Sequence, residues 1–134
     1  KHVLNNSSNQ KKTTIAQTAI KYLNTPYLWG GKSHHGIDCS GFSQMVFKLN
    51  GINIFRDANQ QANQGKEIDF NLIEEGDLAF FGEKKVTHVG IVLKNKKIIH
   101  AFGKVRIDFL KKNGILNVDT NKISHKLIKT VRYY

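Results

Sequence analysis

The 134-residue sequence predicts an α+β domain with an antiparallel sheet. Three observations carry that expectation. Apolar residues recur at helical spacing in the first part of the chain, at Ile15, Ala16, Ala19, Ile20 and Leu23, then at Phe42, Met45, Val46 and Leu49. Beyond Gly76 the pattern changes to short runs rich in β-branched and aromatic residues. Helices followed by a run of strands, rather than alternating with them, favour an antiparallel sheet.

The elements follow in order. Residues 1–12 are polar and read as a flexible segment or linker remnant, leaving 13–134 as one domain. A helix is expected over 13–23, with Thr13 or Thr14 as its cap. Asn24-Thr25-Pro26 ends it, because the residue before proline avoids helical backbone. Residues 27–36 read as a glycine-rich loop, with His34 and His35 on its surface. A second helix is expected over 39–49, with Asn50-Gly51 as a left-handed stop. Asp57 is placed to cap a short third helix that stops at Gly65. Strands are expected over 76–81, 87–93, 97–102 and 131–134.

Bulk properties narrow the function classes. A 40% hydrophobic content supports a core, and no apolar run approaches the roughly 20 residues that span a bilayer. The net charge of +11 reads first as a solvated basic surface, with attraction to anionic surfaces such as wall polymers or lipid as the alternative. Its lysines are scattered and form no arginine-rich helix or aromatic-basic stripe, so nucleic acid is not an expected partner.

The chemistry centres on Cys39, the only cysteine, at the start of the second helix. A helix N-terminus carries partial positive charge and unpaired N–H groups, which favour thiolate and can hold an oxyanion. A lone cysteine is more often a buried small hydrophobe, so a catalytic reading needs a base and a group that orients it. His88 and His100 interrupt apolar strand patterns and supply the candidates, whereas His2 and His125 read as exposed. Register decides whether the two can cooperate. A two-residue loop between their strands would put them on opposite faces. A three-residue loop, Lys94-Asn95-Lys96, pairs Gly90 with His100 and makes the histidines diagonal neighbours on one face. Cooperation therefore predicts the odd loop, with Asn95 or Lys96 left-handed. Gly90 would then leave room for the ring of His100. Cys39, His88 and His100 would also supply three zinc ligands, but no closely spaced ligand pair accompanies them, so neither metal nor cofactor is expected.

These stretches carry a resemblance. Thr25-Pro-Tyr-Leu-Trp-Gly-Gly31, Gly36-Ile-Asp-Cys-Ser-Gly-Phe42, Arg56-Asp-Ala-Asn-Gln-Gln61, Glu75-Gly-Asp-Leu-Ala-Phe-Phe81, His88-Val-Gly-Ile-Val-Leu93 and Ile98-Ile-His-Ala101 fall in an order that resembles the NlpC-type cysteine peptidases of bacterial cell walls, a papain-like superfamily. Phe102-Gly-Lys-Val-Arg-Ile-Asp108 looks like the subgroup that cleaves γ-D-glutamyl-diamino acid bonds in stem peptides. The resemblance implies Cys39 as nucleophile, His88 as general base, cationic in a resting ion pair, and His100 as the residue orienting it. It implies Tyr27 at the oxyanion site. It also implies substrate contacts from Ser40 to the D-Glu carboxylate and from Asp57 to the free amine of L-Ala. Trp29 looks like a cleft wall, and Arg56 joins the substrate-binding set. Ala58 departs from the pattern, since the subgroup often has serine there.

The implied activity is cysteine endopeptidase cleavage of peptidoglycan stem peptides or muropeptides through a thioester, in the cell envelope (periplasm or secreted) or in cytoplasmic peptide recycling. An upstream SH3-like domain, absent from these residues, is an implied partner. The rivals are an N-acetylmuramoyl-L-alanine amidase or another amide or acyl transferase on the same scaffold, and a noncatalytic basic wall-binding module.

Overall fold

The computed structural model describes residues 2–33 and 35–134, so His34 lies outside the described residues. The order of elements is α1 (His2–Ile20), β1 (Lys32–Ser33), β2 (Gly36–Ile37), α2 (Cys39–Leu49), α3 (Ala58–Ala62), β3 (Lys66–Ile68), β4 (Leu78–Phe81), β5 (His88–Leu93), β6 (Lys97–Phe102), β7 (Lys104–Lys111), β8 (Gly114–Asn117) and β9 (Lys122–Arg132). This is the expected α+β class. Helix α1 begins well ahead of Thr13, because apolar periodicity marks where a helix packs and not where it starts. Its packed part, Ile15, Ala16 and Ala19, is buried.

Strands β3-β9-β4-β5-β6-β7-β8 form one seven-stranded sheet, antiparallel throughout, and β8 also pairs with β9. The sheet therefore curls until it closes on itself. Period-two alternation then sorts side chains onto two faces. Leu78, Phe80, Val89, Ile91, Ile99, Ala101 and Val105 face the helices and pack with Ile15, Phe42, Val46 and Phe47. Ala79, Phe81, Val92, Ile98, Leu110 and Ile115 fill the inside of the curl. His88, His100 and Asp108 have the parity of that inner face.

The β5–β6 hairpin has the expected three-residue loop. Leu93 pairs with Lys97 and Gly90 with His100, and both Asn95 (φ 62°) and Lys96 (φ 57°) are left-handed. A Cβ added at Gly90 would lie 2.7 Å from the end of the Ile98 side chain and 3.0 Å from the His100 Cβ, so a side chain there would crowd both. Helix α2 spans the expected residues, with Gly51 left-handed after it (φ 77°). Five strands were not expected, namely β1, β2, β3, β7 and β8, and β9 begins nine residues before the expected 131 (131 − 122).

Candidate active site

Asp38 organises the cleft. As N-cap of α2 its Oδ1 accepts from the Gly41 N–H at 2.6 Å, and its Oδ2 accepts from the Gly30 N–H at 2.9 Å. Arg56 donates to both carboxylate oxygens, at 3.1 and 2.8 Å. Burial alone would raise the Asp38 carboxyl, but Arg56 and these N–H groups outweigh it and hold the carboxyl below the usual range. One carboxylate thus ties together the helix start, the loop carrying Tyr27 and Trp29, and the segment before α3.

Cys39 opens α2 and is 8% exposed. The N–H of Val89, the residue after His88, and those of Cys39 and Ser40 favour the thiolate. Burial nevertheless dominates, and with the nearby Asp38 charge it pushes the thiol up. Tyr27, Trp29, Gly30, Asp57 and Ala58 line a cleft of about 580 Å³ with Cys39 and Ser40. Trp29 is 85% exposed there, which makes it cleft rim and not core. Ser40 is buried and its Oγ accepts from Arg56 at 2.8 Å, so Arg56 meets Ser40 and Asp38 inside the protein. Asp57 is exposed at the start of α3, where Gln60 accepts from its N–H.

His88 and His100 are both buried, and His88 Nε2 lies 2.8 Å from His100 Nδ1. The hydrogen-bonded chain continues. His100 Nε2 lies 2.7 Å from Asp108 Oδ2, and Asp108 also receives Arg106 and the Val118 N–H. Burial would raise Asp108, but these donors hold it far below the carboxylate range. Burial lowers His100, and Asp108 only partly offsets this, so the contact is neutral imidazole N–H to carboxylate. Burial, His100 and His125 together hold His88 well below its ordinary value.

Sequence reasoning missed two neighbours. His125 is not an exposed tail residue: it stacks on His88, with ring centroids 4.1 Å apart and planes 19° from parallel. Burial lowers its pKa to about 4. Asp108 is the other. Its signal was present, since alternation along Lys104-Val-Arg-Ile-Asp108 puts Arg106 and Asp108 on one face. The nitrogens of His88, His100 and His125 lie within 4.8 Å of one another, the one such ligand cluster among the described residues. Only His88 and His125 are stacked; the His100 ring stands nearly perpendicular to both, at 83° and 85°.

All three imidazoles have folded-state pKa values below the ordinary 6.5. The unfolded chain therefore binds more protons below about pH 6.5, and stability present above that pH drains as pH falls. The melting temperature is expected to drop between pH 7 and pH 5, and less so in His125→Gln. A flat melting temperature would refute this.

Helices first, a closed antiparallel sheet after them, and a helix-start cysteine against a strand that carries paired histidines define a papain-like α+β domain. The NlpC/P60 family model matches residues 24–129, and the chain belongs to that family. A γ-D-glutamyl-L-lysine dipeptidyl-peptidase of Bacillus subtilis is 44% identical over 100 residues, 70% of this chain and 34% of that protein. A bifunctional muramidase/DL-endopeptidase of the same organism is 39% identical over 93 residues, 66% of this chain and 28% of that protein. Among solved structures, an NlpC/P60 family protein from Bacillus cereus superposes with a TM-score of 0.79 at 29% identity, covering 91% of this chain and 40% of that one. The chain thus spans about a third of the length of these two relatives.

Proposed function

We propose that this chain is a cysteine endopeptidase that hydrolyses the γ-D-glutamyl-diamino acid bond of peptidoglycan stem peptides. The observation that carries the reading is Cys39 at a helix start in an open cleft, beside the strand whose His88 is bonded to His100. The name of the 44%-identical relative supports the choice of bond.

In this reading His88 Nδ1 takes the Cys39 proton as sulfur attacks the γ-carbonyl of D-Glu. Burial pushes the Cys39 thiol up and the His88 imidazole down, which opposes the resting ion pair that the resemblance implies. The tetrahedral oxyanion is held by N–H groups at the start of α2 and by the Tyr27 hydroxyl. His88 returns the proton to the leaving amine, and the thioester forms. Water, deprotonated by His88, releases the acid and regenerates the thiol. Asp57 receives the free amine of L-Ala, while Ser40, backed by Arg56, receives the D-Glu carboxylate. Trp29 covers the stem peptide. Residues 13–134 form the catalytic unit, and an SH3-like domain is the partner that the resemblance implies for walling off the cleft. The enzyme acts in the cell envelope, where its positive charge favours the anionic wall. Among the described residues, no helix is long and apolar enough to cross a membrane.

The test is mass-spectrometric hydrolysis of L-Ala-γ-D-Glu-diaminopimelate and of its N-acetylated form. Cleavage after D-Glu, confined to the free-amine peptide, is expected. Cleavage of both would remove the role given to Asp57, and cleavage of neither would overturn the assigned bond.

A further inference from the structure

We propose that Asp108 is a fourth, positioning member of the Cys39–His88–His100 array, whose carboxylate dictates where both imidazoles carry their protons. The proposal rests on the catalytic roles given above to Cys39 and His88.

The hydrogen bond between His88 and His100 cannot set its own direction. Each neutral ring has one N–H and one lone pair, and Nε2 of the first facing Nδ1 of the second is satisfied with the proton on either atom. Something outside the pair must break the tie. Asp108 is 1% exposed, and its two oxygens meet four nitrogens. Arg106 Nε donates to Oδ2 at 2.9 Å and Arg106 Nη2 to Oδ1 at 3.1 Å. The Val118 N–H donates to Oδ1 at 2.9 Å, and His100 Nε2 sits 2.7 Å from Oδ2. The first three can only donate, which holds the carboxyl ionised and leaves it nothing to donate to His100.

The consequences run inward one bond at a time. His100 Nε2 must carry its proton. Its Nδ1 is then a lone pair, and His88 Nε2 must donate to it. The lone pair of His88 is left on Nδ1, the atom that takes the thiol proton in the mechanism above. When His88 becomes imidazolium, both its N–H groups are used, and Asp108 supplies, through His100, the negative charge that a neutral imidazole lacks. Arg106 tempers that charge and is itself shared with Asp119 at 2.8 Å. The fold reaches Asp108 by register: His100 pairs with Arg106 and Ile98 with Asp108, so the carboxylate is a diagonal neighbour of the ring.

A purely structural Asp108, one that only fastens β7 to the 117–119 turn, would change stability and leave the tautomers alone. Histidine ring ¹⁵N spectroscopy on the full 134-residue chain at pH 7 separates the two. In wild type, His88 and His100 are both expected as Nε2–H forms. In Asp108→Asn an amide replaces the acceptor, the Nε2–H form of His88 is expected to lose its dominance, and kcat on the free-amine stem tripeptide should fall by roughly 10²-fold with KM little changed. His88 protonated on Nδ1 in the wild type overturns the proposal without any variant, even if Asp108→Asn does not fold. Unchanged tautomers in a folded Asp108→Asn overturn it equally. Both spectroscopic outcomes are read whether or not the stem peptide is cleaved, so failure of the substrate assignment is seen separately.

Discussion

Cys39→Ala is expected to abolish stem-peptide turnover, by roughly 10⁴-fold or more in kcat, with the melting temperature changed little. The fold is indifferent because Asp38, not Cys39, caps α2. His88→Ala should cost about as much, since sulfur and base act as a unit. The double variant should then be no slower than either single one, and additive losses would show that the two act separately. His100→Ala should leave residual turnover, because it removes the partner of the base and not the base. The pH profile carries a further sign. His88 must be neutral to accept the thiol proton, and burial holds its pKa well below 6.5. Activity should therefore persist below pH 6.5 and fall only on further acidification. An acid limb centred above 6.5 would contradict the buried, neutral base.

How much of this was legible in the sequence varies with the physics that placed each residue. Cys39 was readable because a helix start is a local feature: an acid cap, then an apolar stripe at Phe42 and Val46. His88 and His100 were readable because a hairpin loop of countable length fixes their register. The same counting reaches Asp108, one tight turn further at Gly103, where Phe102 pairs with Lys104. It was missed because a charged residue in a basic segment looks like surface until its strand is recognised. His125 lies beyond counting. Strand β9 is lysine-rich, since much of it is exposed, so its period-two pattern is weak. Its pairings with β4 and β8 are both interrupted by register shifts, between Phe80 and Phe81 and between Ile115 and Leu116. A bulge moves a side chain to a new position without a sequence signal strong enough to count through. The role of Arg56 was visible only as a motif position, because its bond to Asp38 joins segments 18 residues apart.

Asp38→Ala is expected to be the most destabilising of the changes around the cleft. Losing an N-cap alone costs about 1 kcal/mol. Here the same side chain also satisfies the Gly30 N–H and pairs with Arg56 through two oxygens. Alanine would leave that guanidinium, with 30% of its side chain exposed, facing Ser40 and no carboxylate. Unsatisfied groups of this kind cost a further 1–3 kcal/mol or so, giving a total of about 3 kcal/mol. For a domain of this size that corresponds to a melting temperature lower by roughly 10 °C. Activity should suffer beyond the loss of folded protein, because the Asp38 bonds to Gly30 and Gly41 set the loop carrying Tyr27 and Trp29 against the N–H groups around Cys39. Asp38→Asn keeps one acceptor for the Gly41 N–H and should lose less. Thermal unfolding of both variants, with turnover measured well below their melting temperatures, checks the order. If Asp38→Ala melts within about 2 °C of wild type, a loss of less than about 1 kcal/mol, then the Asp38 carboxylate does not hold the cleft together.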